Sequence, residues 1–123
     1  QEERDRFNFV DFRRCELKNQ GSIEKLLDLN ARVEAAEIEM GNRAGYGIHY
    51  LEPYRGIDEN VDYDFVIMRH YYSAEMRSSI VTSSPSFREM MNKNGFYKEF
   101  RRYAECGPES TFRVEWLYNS YQD

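Results

Sequence analysis

The sequence predicts an α+β fold: one antiparallel sheet with helices packed on a single face. Three observations carry that expectation. The chain has 123 residues, the size of one domain with one core. Its aromatic and β-branched residues gather in short runs bounded by turn residues, as strands do. Between those runs stand helix-start signals, each answered downstream by a glycine stop.

Residues 1–6, "QEERDR", are charged and patternless and are expected to form a loose terminus, leaving 7–123 as the single domain. "FNFVDFRRCEL" (7–17) reads as a first strand, partly covered on both faces because Phe9 and Val10 are adjacent. Ser22 then caps a helix to about Met40, with Ile23, Leu26, Leu27, Asn30, Val33 and Met40 on one face and Gly41 as its stop. "AGYGIHYLEPY" (44–54) and "DYDFVIMRHYY" (62–72) read as two further strands. "SAEMRSSIVTS" is weakly helical. "SPSFREMMNKNG" repeats the helix-start signal, with Pro85 in the first turn and Gly95 as stop. "FYKEFRRYAEC" (96–106) reads as a short strand or extended arm, "GPES" as a turn, and "TFRVEWLYN" (111–119) as the last strand. The order β-α-β-β-α-β is that of the ferredoxin-like sandwich, with strand order 4-1-3-2. Helices cover one sheet face in that arrangement. The other keeps apolar side chains, and a homodimer through that face is expected.

Composition narrows the partners. Hydrophobic residues make up 41% and charged residues 32%, a globular rather than disordered balance. A net charge of −5, with no dense run of Lys or Arg, argues against nucleic acid. The longest apolar run, Phe65 to Met68, is far short of the ~20 residues that span a bilayer. The chain begins at Gln1 with no initiator Met, which fits a secreted or periplasmic form after signal removal, with a cytoplasmic location as the alternative.

The element order over 7–119, "DYDFVIMRHYYSAEM" and "SSPSFREM" together resemble the dimeric α/β-barrel group of ferredoxin-like proteins. That group includes the antibiotic-biosynthesis-monooxygenase-like, EthD-like and NIPSNAP-like families. "CELK" (15–18), "YGIHYLEPYRG" (46–56) and "DYDF" (62–65) are also similar to segments of small marine bacterial proteins. The resemblance implies a sheet-to-sheet dimer whose barrel interior holds a small ligand. Members of the group act variously as cofactor-independent oxygenases, haem enzymes or binding proteins.

Candidate chemistry is sparse. His49 and His70 are the only histidines, on neighbouring strands, and are candidates for a base or a haem ligand. Arg69 is out of phase with His70 and is a candidate for neutralising a ligand carboxylate, or for an ion pair with Glu115 or Glu16. Asp11, Arg13 and Glu115, also on central strands, are expected to pair. Tyr46, Tyr50, Tyr71, Tyr72, Trp116 and Tyr118 are candidates for the aromatic wall of a pocket for a small aromatic or apolar ligand, or for packing at the dimer interface. Cys15 and Cys106 lie at adjacent strand ends, where either a disulfide or two separate buried thiols fits. No metal cluster and no required cofactor is expected. The functional reading is a small-molecule-binding protein. The alternatives are a cofactor-independent monooxygenase on an aromatic or polyketide-like substrate, a haem-binding protein and a ligand-free structural dimer.

Overall fold

The computed structural model describes residues 9–41, 46–54, 61–71 and 85–115. They form strand β1 (Phe9–Leu17), helix α1 (Ile23–Glu39), strands β2 (Tyr46–Leu51) and β3 (Phe65–Tyr71), helices α2 (Pro85–Lys93) and α3 (Phe96–Tyr103), and strand β4 (Ala104–Arg113). The sheet order is β2-β3-β1-β4 and every pairing is antiparallel. This is the ferredoxin-like sandwich. The weakly helical reading of 74–82 falls outside the described residues, as do Tyr72, Trp116 and Tyr118.

Local chemistry sets the first helix. The Ser22 side chain accepts the Lys25 backbone N–H at 3.2 Å, filling one of the orphan donors of the first turn. Gly41 follows at φ 79°, a left-handed conformation that only glycine adopts cheaply. Leu26 and Leu29 are the buried positions, while Leu27 points outward at 54% exposure. The expected stripe was therefore one residue out of phase at Leu27. The apolar face runs through Leu26, Leu29, Asn30 and Val33.

The second half departs from the expected extended arm. Residues 96–103 are helical, because Phe96, Phe100 and Tyr103 recur at helical spacing and bury against α1 and α2. Gly95, at φ 69°, lets the chain turn between α2 and α3. The last strand begins at Ala104, earlier than expected, and "GPES" lies inside it rather than in a turn. Between Cys15↔Cys106 and Arg13↔Glu109 the β1–β4 register slips by one residue, and Gly107 and Pro108 occupy that bulge. The glycine–proline signal is real; it marks a bulge. The close of α3 is tight: the Lys18 N–H donates to the Tyr103 carbonyl at 2.8 Å. A Cβ on Gly21 would stand 1.9 Å from that carbonyl oxygen.

Cys15, Leu26, Phe65 and Ala104 form one buried cluster between sheet and helices, and Leu29, Met90 and Phe96 a second. The "DYDF" start has a structural role here. The Asp64 carboxylate accepts the Leu17 N–H at 2.6 Å, and its own N–H donates to the Cys15 carbonyl at 2.8 Å. These two bonds extend the β1–β3 ladder by a residue.

An ion-pair network ties α1 to α3. Arg32 donates to Glu99 at 2.9 Å and to Asp28 at 3.0 Å, and the Tyr103 hydroxyl also donates to Glu99 at 2.9 Å. Hydrogen bonding from Arg32, reinforced by Tyr103, holds the Glu99 carboxyl near a pKa of about 2, against its usual 4.5. A depressed carboxylate pKa contributes stability above the unfolded value and loses it as pH falls through the folded one. Arg32 is 43% exposed, so the contribution is discounted for solvent to about 1 kcal/mol. Glu99→Gln is expected to lower the urea-unfolding free energy by about that amount at pH 7. The gap between variant and wild type should close between pH 4.5 and pH 2, the interval the shift defines.

Candidate functional site

The register divides the sheet into two chemically different faces. Phe65, Ile67, Arg69 and Tyr71 of β3 stand beside Cys15, Arg13, Asp11 and Phe9 of β1, and this face meets the helices. On β2, Ile48 and Tyr50 join it opposite Arg69 and Ile67. The alternate residues, among them His49, Met68, His70, Val10 and Phe12, fall on the open face.

Between the sheet and the helices lies a cavity of about 200 Å³. Its floor is Asp11, Arg13, Ile48, Tyr50, Ile67 and Arg69. Leu29, Asn30 and Val33 of α1 form one wall; Phe87 and Met91 of α2 with Phe96, Tyr97 and Phe100 of α3 form the other. Glu109 closes the β4 side. The apolar wall and short polar row are the composition of a small-molecule site, and the volume lies below the ~300–1,000 Å³ of drug-sized sites.

The polar row is a built network. Asp11 is 2% exposed; it accepts the Thr111 hydroxyl at 2.6 Å and hydrogen-bonds the Tyr71 hydroxyl. Burial first, then Asp11, push the Tyr71 phenol up to about 12, so it stays a neutral donor at physiological pH. Arg69 stands directly opposite Asp11 in the ladder and approaches Glu109 at 3.9 Å. Its ion-pair partner is therefore Glu109 rather than Glu115 or Glu16, and Glu115 instead pairs with Arg113 at 3.0 Å. The β4 bulge explains the difference, since it turns Glu109 and Thr111 onto the helix-facing side. Tyr50 receives a hydrogen bond from Asn30, and burial raises its phenol pKa.

The sequence-derived candidates thus separate. Arg69 and Tyr50 line the cavity, and Tyr71 lies fully buried beside its polar end. His49 and His70 are on the open face, away from the cavity, with Nε2 atoms 3.0 Å apart and rings stacked at 5.0 Å between centroids. Cys15 and Cys106 are opposite each other across β1 and β4, with Cα atoms 4.1 Å apart, and are joined by a disulfide. Of Tyr46, the structure describes the backbone alone, in β2. Sequence reasoning missed Asp11 and Glu109 as site residues, along with the α2 and α3 aromatics. The polar Asn30 within an apolar helical stripe was the one available signal for the α1 wall.

Fold and cavity together define a ferredoxin-like α+β domain with a small, partly apolar cavity between sheet and helices. Among solved structures, the chain is similar to SnoaB, a cofactor-independent oxygenase from Streptomyces nogalater. Identity is 13%, covering 89% of this chain and 96% of that one, with a TM-score of 0.50. A single-substitution variant of the same oxygenase matches at 13% identity, covers 91% and 99% of the two chains, and gives 0.51. A dimeric ferredoxin-like protein from Bacteroides fragilis matches at 12% identity, covering 88% and 95%, with a TM-score of 0.42. Similarity at the level of SnoaB establishes a shared fold. No family model and no curated protein matches the chain.

Proposed function

We propose that this protein binds a small hydroxylated aromatic molecule in the cavity between sheet and helices. The observation that carries the reading is the pairing of an aromatic wall with a buried polar end. Phe87, Phe96 and Phe100 offer ring faces and edges, while Arg69 and Asp11 stand opposite each other on the floor. A hydroxyl or carbonyl oxygen at the Arg69 end gains a charge-assisted hydrogen bond, and Asp11 accepts from a ligand O–H. Thermal-shift and calorimetric titration with phenols and bicyclic hydroxyarenes tests this. Binding should raise Tm, and Arg69→Met should weaken it roughly ten- to a hundredfold, the worth of one hydrogen bond to a charged group. Equal affinity for arenes lacking the hydroxyl would sink the reading.

An oxygenase activity is the catalytic extension; the likeness to a cofactor-independent oxygenase and the Asp11 carboxylate on the cavity floor, a candidate acceptor for a substrate proton, support it. Molecular oxygen would be the oxidant. Oxygen uptake with the phenols that bind, abolished in Asp11→Asn, is the measurement; binding without uptake leaves a binding protein.

The assembly reading is a homodimer through the open sheet face. Phe12 meets Phe112 edge-on at 5.5 Å there, and Phe112 is 55% exposed. Leu51 is also exposed, and by alternation Val10, Val66 and Met68 share the face. Such a patch is costly in water. Among the described residues, no helix is long and apolar enough to cross a membrane. Phe112→Glu should convert a dimer to a monomer in light scattering, and a wild-type monomer at micromolar concentration would contradict the dimer.

A further inference from the structure

The open face carries a feature the cavity does not use. His70 is paired across the ladder with Gly47, and His49 stands two residues further along β2. The His70 ring lies over Gly47: a Cβ there would come within 2.4 Å of Cε1 and Nε2. The missing side chain gives the ring room to reach toward the β2 edge. There the two Nε2 atoms converge to 3.0 Å.

That separation has two chemical meanings. Between metal-free imidazoles it is an N–H···N hydrogen bond. It is also the spacing of adjacent ligands on one cation, since two nitrogens bound at ~2.0–2.1 Å with a right to tetrahedral angle lie about 2.9–3.4 Å apart. We propose that His49 and His70 form a two-imidazole site for a divalent transition-metal cation, with the metal replacing the shared proton. Neutral imidazole is the preferred nitrogen donor for the copper, nickel and zinc class, and the near-right-angle spacing suits tetragonal copper(II) best. Among the described residues, no third His, Cys, Asp or Glu joins the pair, so the remaining positions are open to water. β2 is an edge strand, so His49 lies at the margin of the sheet, while His70 comes from the neighbouring inner strand β3. The site is independent of the cavity on the opposite face.

Gly47 supplies the decisive test. Copper(II) is titrated into the untagged full chain and followed by calorimetry and electron paramagnetic resonance. One copper per chain is expected, with superhyperfine structure from two equatorial nitrogens. His49→Ala and His70→Ala should each weaken binding at least about a hundredfold, the upper end of what loss of a supporting partner costs a metal site. Gly47→Ala keeps both imidazoles but displaces the His70 ring, into which its Cβ would project, and should weaken copper comparably. Circular dichroism verifies that each variant is folded. Two results would overturn the proposal: wild-type copper binding no tighter than in the His49→Ala/His70→Ala double variant, or Gly47→Ala binding copper as the wild type does.

Discussion

Replacing Cys15 and Cys106 together by Ala is expected to lower the unfolding free energy by about 4–5 kcal/mol, the chain-entropy worth of a loop of this length. The two residues are 91 apart in sequence and directly opposed in the β1–β4 ladder. Freed of the bond, the unfolded chain regains the freedom of a loop spanning most of the domain. Alanine is the right replacement because Cys15 is 1% exposed and a serine hydroxyl would need a partner there. Urea denaturation of the double variant, beside oxidised and reduced wild type, measures the effect. Reduced wild type and the variant should agree closely and both fall well below the oxidised form. A difference under about 1 kcal/mol would mean that the reduced, unfolded chain is already compact. The bond also bears on the site. It clamps β4 immediately before the bulge that turns Glu109 and Thr111 toward the cavity. Reduction should therefore weaken ligand binding as well as stability.

That bulge also marks where the sequence stopped being legible. Strand alternation is a reliable guide while the count stays regular, and β3 shows it: Arg69 faces the cavity and His70 the open side. One inserted residue on β4 inverts every later position, and "GPES" announces a backbone irregularity without saying which kind. Glu109 was thus invisible as the partner of Arg69. The α3 segment failed for a different reason. Its aromatics favour strands by composition, and an eight-residue helix gives barely two turns of period to oppose that. The capped and glycine-stopped α1 was plain because several independent signals agreed there. The cavity itself was least legible, being assembled from α1, α2, α3 and all four strands. Its volume depends on how those layers stack, which no local pattern encodes.

Phe65→Ala should be the most damaging single substitution in the sheet, costing about 3–5 kcal/mol, as large aromatic truncations in a core do. Phe65 is 0% exposed and shares its buried cluster with Leu26 of α1, Cys15 of β1 and Ala104 of β4, so its loss loosens a cluster drawn from several elements. Neighbours held by the disulfide and by the β1–β3 ladder collapse poorly into the void, which places the cost toward the upper end of that range. Against a total stability of ~5–15 kcal/mol for a domain, such a loss leaves a marginal fold. The functional consequence follows from Tyr50, whose ring meets Phe65 edge-on at 5.3 Å and whose hydroxyl is held by Asn30. With Phe65 gone, one of the two restraints on Tyr50 disappears, and the cavity floor loses definition. Phe65→Leu refills most of the volume but offers no ring edge, so it separates the two effects. It should recover most of the stability in urea denaturation while leaving ligand affinity below wild type. Full recovery of both by leucine would show that Tyr50 is positioned by Asn30 and volume alone, with no part for the aromatic pair.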